Sequence, residues 1–225
     1  MPAKTPLRFG RRRLWSGMIS RIALVAAAFL ASPAVAQVSA PAPAAATATP
    51  AEDLVPVAID TSLGRIVLAL DRGRAPVTTA NFLRYVDAHR FDGENFYRAM
   101  HVGSGGLIQG GITSDARKMF APIADEPSSK TGVHNSAGAI SMARGAPGTA
   151  TADFFILLSD MPGFDAGAPG GSDPDGYAAF GHVTDGMDVV RKIFASSISP
   201  TKGEGVMRGQ MLDPAIRIIK AARLK

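Results

Sequence analysis

The hydrophobic pattern along the chain predicts a domain built mainly from β-strands. Apolar residues recur at positions 54–59 and 66–70, on either side of the turn-like segment Thr61–Gly64. This arrangement predicts a β-hairpin. Further along, short apolar runs bounded by glycine or proline occur at 107–108, 139–143, 154–158 and 177–183, and a last run occurs at 215–219. Runs of this length are typical of strands rather than helices.

Two segments instead show helical spacing. Pro76 stands where the first turn of a helix tolerates proline, and apolar residues follow at helical intervals as far as Ala88. A second helix is predicted from Gly186 to about Ala195, with Asp185 as its cap. Many short strands with only two helices favour a mostly β fold, a closed antiparallel barrel, over a doubly wound sheet that needs a helix after nearly every strand.

Residues 1–36 have the pattern of a secretory signal peptide. Six basic and no acidic residues occur in 1–21, an unbroken apolar run covers 22–31, and Ala34–Ala36 is a small-x-small cleavage pattern. At about 1.5 Å per residue the apolar run is far shorter than a hydrocarbon core of about 30 Å, which favours a cleaved signal over an uncleaved anchor. General secretion is the simpler route, and Arg12-Arg13 leaves twin-arginine export open. We expect a periplasmic or secreted protein with no membrane anchor after cleavage.

The segment that follows the signal is expected to be a flexible tether. Residues 37–53 are rich in alanine and proline and bury too little apolar surface to offset the entropy of ordering. A single folded domain is therefore expected over residues 54–225. Without the signal the chain has 18 basic against 19 acidic residues, a net charge of −1. Nucleic-acid binding is disfavoured, because no cationic excess is left to neutralise phosphates.

The usual motifs of nucleophilic, phosphate-binding and zinc-dependent enzymes do not occur. The patterns G-x-S-x-G, G-x-x-x-x-G-K and H-E-x-x-H are absent, and the sequence has no cysteine. The four histidines are too scattered for a local metal-ligand motif, and Asp173–Gly176 is read as a polar turn rather than a calcium loop. No metal or cofactor is expected, and a hydrolase of unknown type is disfavoured.

A set of segments in a fixed order resembles the cyclophilin family of peptidyl-prolyl isomerases. The resemblance runs from about residue 57 to residue 220 and depends on the combination, because each segment alone is short. The segments are Ala75–Phe82, Phe96–Arg98, Gln109–Gly111, Ile140–Arg144, Phe154–Ile156, Phe180–Val183 and Gly186–Val190. The resemblance implies a closed eight-stranded antiparallel barrel capped by two helices. It also implies rotation of X-Pro bonds without a cofactor, on proline-containing polypeptide clients, by a protein expected to be a monomer.

The resemblance also implies which residues form the site. Arg98 matches the essential arginine of the family, and Gln109 matches the glutamine near the substrate carbonyl. Leu107 and Phe155 match apolar residues of the proline pocket, and the neighbouring Phe154 is assigned to the core. The other positions expected to contact the substrate are Ala143, Arg144, Asp153, Phe164 and Tyr177.

The sequence departs from the family pattern close to this site. Three extra residues lie between Arg98 and Gln109, and Gly106 takes the place of a pocket phenylalanine. Asp153 replaces a usual glutamine, and Asp165 replaces a common leucine. These changes predict a shallower proline pocket and an acid that competes for Arg98. A catalytically weakened peptide-binding or chaperone module therefore stays open as an alternative.

An arginine suits this reaction because rotation about the X-Pro bond breaks no covalent bond. The barrier of about 18–20 kcal/mol arises from the double-bond character of the C–N bond. As the amide twists, its nitrogen regains a lone pair, and a guanidinium donor stabilises the twisted state more than the planar one. The alternative for Arg98 is a surface residue paired with an acid such as Glu94 or Asp153.

Overall fold

The computed structural model describes residues 51–113, 115–171 and 173–225. The expected signal peptide and residues 37–50 of the expected tether lie outside the described residues. Within the described ranges, no helix is long and apolar enough to cross a membrane.

Nine strands and three α-helices occur in the part of the chain that the structure describes. The strands are β1 (Leu54–Thr61), β2 (Gly64–Asp71), β3 (Asn95–Val102), β4 (Gly105–Gly111), β5 (Ala139–Met142), β6 (Phe154–Leu157), β7 (Ala179–Asp185), β8 (Ile198–Ser199) and β9 (Met211–Arg223). The helices are α1 (Pro76–Asp87), α2 (Ser128–Thr131) and α3 (Met187–Phe194). Short 3₁₀ turns include Pro162–Phe164 and Gly205–Met207.

Eight of the strands form a closed barrel. They follow one another in the order β1-β2-β7-β5-β6-β4-β3-β9, every neighbouring pair is antiparallel, and β1 pairs again with β9. The short β8 adds two residues along β9. Closure pairs edges that would otherwise be free to aggregate. The predicted closed antiparallel eight-stranded barrel is confirmed, as is the hairpin formed by β1 and β2.

Both predicted helices are present, with one difference at a cap. Gly186, not Asp185, is the N-cap of α3, with φ of 84°. A Cβ atom on Gly186 would lie 2.2 Å from the Arg65 carbonyl oxygen, so glycine is required there. The Asp185 carboxylate still contributes, because it accepts a hydrogen bond of 2.9 Å from the Gly186 N–H. The sequence pattern did not predict the single-turn helix α2.

Helix α1 is capped by a residue distant in sequence. Its N-cap, Ala75, offers no side-chain acceptor, and the Glu126 carboxylate instead accepts hydrogen bonds from the N–H groups of Val77, at 3.1 Å, and Thr78, at 2.7 Å. A carboxylate at a helix N-terminus satisfies free N–H donors and is favoured by the helix dipole. This contact also holds the loop after β4 against the helix.

Alternation along β6 separates the main core from a second apolar cluster. Phe154 and Ile156 belong to the main core, whereas Phe155 and Leu157 belong to the second cluster, because successive strand residues point to opposite faces. The ring of Phe82 on α1 packs against Phe154 and Phe180 at centroid distances of 5.2 and 5.5 Å. The helix therefore covers the barrel interior, and the second cluster lies on the outer face.

We predict that Phe154→Ala lowers the free energy of unfolding by about 3–5 kcal/mol, because Phe154 is fully buried among other rings and truncation leaves a cavity. Val206→Ala is the control, since Val206 is 86% exposed and should change stability by less than about 0.5 kcal/mol. Denaturant unfolding of both variants measures the difference. Equal stability of the two variants would contradict the proposed core.

Candidate active site

A bulge in β3 turns two consecutive side chains toward one groove. Phe96 pairs with Gly110 and Arg98 with Gln109, so that Tyr97 is an extra residue without a partner on β4. An extra residue resets the alternation of the strand. Phe96 therefore faces the core, while Tyr97 and Arg98 both line the groove.

The groove lies on the outer face of the barrel, above the second apolar cluster, and has a volume of about 1020 Å³. Every residue that the sequence predicted for the site is part of its lining. These residues are Arg98, Leu107, Gln109, Ala143, Arg144, Asp153, Phe155, Phe164 and Tyr177.

One end of the groove is apolar. Leu107 and Phe155 are buried there, and the rings of Phe164 and Tyr177 pack on Phe155 at centroid distances of 5.7 and 5.5 Å. Both contacts are edge-to-face, a favoured arrangement of aromatic rings. This end offers apolar surface for a ring of the size of proline.

The place expected for a pocket phenylalanine is closed by the backbone. Gly106 has φ of 145°, and a Cβ atom there would lie 1.9 Å from the Met100 carbonyl oxygen. Instead, the side chains of Met100 and Met161 pack against the second apolar cluster and line the groove. The wall therefore keeps its apolar character, with flexible thioether side chains in place of a rigid ring.

The other end of the groove is polar and centred on Arg98. Its Nη1 donates to Gln109 Oε1 at 2.8 Å, and its Nε and Nη2 donate to Gln210 Oε1 at 2.9 and 2.7 Å. Among the described residues no carboxylate pairs with Arg98. Glu94, one of the two expected partners, pairs with Lys118 at 2.5 Å instead. The expectation that an acid competes for the guanidinium is therefore wrong for this structure.

Asp153 lines the groove and affects the protonation of Tyr97 rather than pairing with Arg98. Gln109 Nε2 donates to the Tyr97 hydroxyl at 2.6 Å, which orients Gln109 Oε1 toward Arg98. Burial raises the pKa of Tyr97 well above its ordinary value, and the nearby Asp153 raises it further. Burial also raises the pKa of Asp153 to about 6, although the Tyr97 hydroxyl and the Ile112 N–H oppose this shift.

The guanidinium of Arg98 is half-buried. Burial lowers the pKa of Arg98, while Tyr97 and Tyr177 oppose that change. An arginine remains protonated in proteins despite such shifts. The groove therefore holds a permanent positive charge that contacts only uncharged partners.

Arg144 lines the groove, but its guanidinium is committed to protein contacts. The side chain is 2% exposed, with Nη1 at 2.9 Å from Asp173 Oδ2 and Nε at 3.5 Å from Asp125 Oδ1. Its Nη2 donates to the Gly176 carbonyl oxygen at 2.5 Å. Arg144 thus ties the segment 173–176, which forms the predicted polar turn, to the end of β5.

Asp165 does not line the groove and instead organises the loop that carries Phe164 and Tyr177. Its carboxylate accepts hydrogen bonds from the Asn135 N–H at 2.9 Å and from His134 Nδ1 at 2.7 Å. Burial opposes ionisation of Asp165, but these hydrogen bonds outweigh it and lower the pKa of the carboxyl. The buried Asn135 amide also donates to the carbonyl oxygens of Phe164 and Tyr177.

Comparison with known proteins agrees with this geometry. Residues 56–221 match the family model for cyclophilin type peptidyl-prolyl cis-trans isomerase/CLD. The chain belongs to the cyclophilin family.

Several relatives share this family. Peptidyl-prolyl cis-trans isomerase cyp18 of Streptomyces antibioticus is 39% identical over 153 residues, which are 65% of this chain and 87% of that protein. Peptidyl-prolyl cis-trans isomerase B of Escherichia coli is 37% identical over 143 residues, or 61% and 82% of the two chains. The crystal structure of a cyclophilin type isomerase of Cryptosporidium parvum has the same fold, with a TM-score of 0.60 at 20% identity over 77% of this chain and 99% of that one.

Several residues that line the groove of this cyclophilin were not predicted from the sequence, among them Tyr97, Met100, Met161 and Gln210. Regular alternation would place Tyr97 and Arg98 on opposite faces, so only the bulge reveals Tyr97. Gln210 lies 112 residues from Arg98 in sequence, and no local pattern marks it.

We predict that Asp153→Asn stabilises this cyclophilin above pH 6 and not below about pH 4. The carboxyl binds its proton more tightly in the fold, at a pKa of about 6 against 3.8, so the stability of the wild-type protein falls as the pH rises between these values. The asparagine variant does not lose stability in this way, so its free energy of unfolding at pH 7 should exceed that of the wild-type protein by about 2–3 kcal/mol. Denaturant unfolding from pH 4 to pH 8 tests this, and a pH-independent difference would contradict it.

Proposed function

We propose that the groove is the active site of a peptidyl-prolyl isomerase whose clients are proline-containing segments of exported proteins. The observation that carries the proposal is the uncompensated positive charge of Arg98 beside the apolar end formed by Leu107 and Phe155. Membership of the cyclophilin family supports the same activity.

The proline ring is held at the apolar end while the rest of the client rotates. Burial of apolar surface contributes about 25 cal/mol per Å², and Leu107, Phe155 and Met100 supply that surface. The rings of Phe164 and Tyr177, on the loop between β6 and β7, pack together and bound the space for the proline ring on that side. The apolar end therefore fixes one side of the X-Pro bond.

Arg98 acts on the other side of the bond. Three of its N–H donors bind the amide oxygens of Gln109 and Gln210, and a fourth, on Nη2, faces Met100 Sδ at 3.4 Å. The second N–H of Nη1 stabilises the lone pair that the amide nitrogen regains during twisting, and it interacts less with the planar ground state. Gln109 has two amide N–H donors, of which Tyr97 takes one, and the second suits the client carbonyl. Rotation breaks no covalent bond, so this mechanism uses no nucleophile.

We predict that Arg98→Ala reduces kcat/KM by about 10- to 150-fold, because a hydrogen bond to a charged group contributes about 1.5–3 kcal/mol and each 1.36 kcal/mol corresponds to tenfold in rate. Arg98→Lys should recover little, since an ammonium lacks the planar fork of donors. A proline-peptide isomerisation assay measures the rates, and thermal unfolding should show that the variants stay folded, with a loss of about 1–3 kcal/mol because the Gln109 and Gln210 oxygens lose their donor.

Arg191→Ala is the matched control, because Arg191 is an exposed arginine on α3 and is not part of the groove lining. It should keep the wild-type rate. Wild-type turnover by Arg98→Ala would remove the catalytic assignment of Arg98, whereas absence of turnover in the wild-type protein would favour a module that binds proline-containing segments without isomerising them.

The proposed setting is the periplasm or the extracellular space. We infer a signal peptide over residues 1–36, a tether over 37–53 and the isomerase domain over 54–225. The start of β1 at Leu54 and of the family match at residue 56 supports the domain boundary.

We predict that the exported chain begins near Gln37, directly after the small-x-small pattern. Intact-mass measurement on periplasmic or extracellular material tests this prediction, and Ala36→Phe should block cleavage. Replacing both Arg12 and Arg13 by lysine should leave export unchanged by the general route and stop it by the twin-arginine route. A retained apolar run, or a start beyond residue 53, would contradict the proposal.

A further inference from the structure

The loop before β9 supplies the second hydrogen-bond partner of Arg98. Gln210 Oε1 accepts from both Nε and Nη2 of the guanidinium, at 2.9 and 2.7 Å. Together with the contact from Nη1 to Gln109, two amide oxygens take three of the five N–H donors of Arg98. The guanidinium is therefore held on two sides.

The orientation of the Gln210 amide is fixed by its other contacts. Its Nε2 donates to the Val206 carbonyl oxygen at 2.9 Å, so Oε1 is the atom left to face Arg98. Its backbone N–H donates to the Met207 carbonyl oxygen, and its backbone carbonyl accepts from the Ala99 N–H at 2.9 Å. Because Ala99 follows Arg98 on β3, Gln210 joins the loop directly to the strand that carries the arginine.

An amide at this position has a specific advantage over an acid. Nε and Nη2 form the edge of the guanidinium that binds a carboxylate in a two-point contact. A carboxylate there would neutralise the charge that the twisting amide nitrogen needs, whereas an amide oxygen orients the same edge and leaves the charge in place. Gln109 meets the same condition on the Nη1 side.

We propose that Gln210 is a positioning residue for Arg98. Its uncharged amide oxygen accepts hydrogen bonds from the guanidinium and so orients it toward the groove. The proposal rests on the proposed isomerase function and adds a residue on a distant loop to the machinery of that site. Gln210 acts through Arg98 and not on the client.

Two variants test the proposal in the isomerisation assay. Gln210→Ala removes the acceptor and should lower kcat about 10-fold with KM changed less than threefold. Gln210→Glu keeps the length and shape of the side chain but introduces the competing charge, and it should lower kcat at least as much. If Gln210→Ala fails to fold, Gln210→Glu decides alone, because it keeps the length of the side chain and loses only the hydrogen bond to the Val206 carbonyl oxygen.

A double-mutant cycle separates positioning from general support of the fold. If Gln210 acts through Arg98, Gln210→Ala should cost little further activity once Arg98→Lys is present, since the guanidinium that it positions is gone. Thr201→Ala is the control, because Thr201 is exposed on the same loop and does not line the groove. It should keep wild-type kcat in both backgrounds.

A spectroscopic measurement distinguishes failure of this inference from failure of the proposed function. The Nε–H signal of Arg98 in ¹⁵N NMR should shift and exchange faster with water in Gln210→Ala, and it should not change in Thr201→Ala. Wild-type kcat in folded Gln210→Ala and Gln210→Glu, or an unchanged Nε–H signal, would overturn the positioning role. An inactive wild-type protein would instead overturn the isomerase function, while the signal would still report on the positioning.

Discussion

The pairing of β1 with β9 is the constraint on which the rest of the structure depends. It closes the barrel, so every strand has one face toward a sealed interior and one face toward the outside. On β6 the side chain of Phe154 therefore lies in the core and that of Phe155 lies at the groove. The outer faces of β3, β4 and β6 then form a continuous wall, because β6 pairs with β4 in the barrel even though it is distant from β3 and β4 in sequence.

Much of the fold was predictable because local patterns specify it. The lengths of the apolar runs indicated strands, the spacing after Pro76 indicated α1, and the small number of helices indicated a barrel. The cap of α3 was assigned one residue too early, because an acid is the usual sequence signal and the positive φ of Gly186 is visible only in the structure. The short helix α2 has too few residues to show any periodicity.

The site was predictable only as far as the family resemblance reached. The resemblance identified nine of the residues that line the groove, but not the interactions that orient them. Tyr97 lines the groove because of a bulge in β3, and Gln210 reaches Arg98 from a loop that is distant in sequence. Asp153 was expected to compete for Arg98, whereas it lines the groove without pairing with the guanidinium and raises the pKa of Tyr97. Such interactions depend on register and loop path, which composition and spacing do not report.

Arg98 and Arg144 show how neighbours decide what an arginine does. Both line the same groove, and both are held by several hydrogen bonds. Arg144 is paired with Asp125 and Asp173, so its charge is neutralised and its role is to hold loops together. Arg98 is held by the amide oxygens of Gln109 and Gln210, which orient it without cancelling its charge. A transition state that develops electron density on a nitrogen needs a charge that is already oriented and not yet neutralised, and of these two arginines only Arg98 meets both conditions.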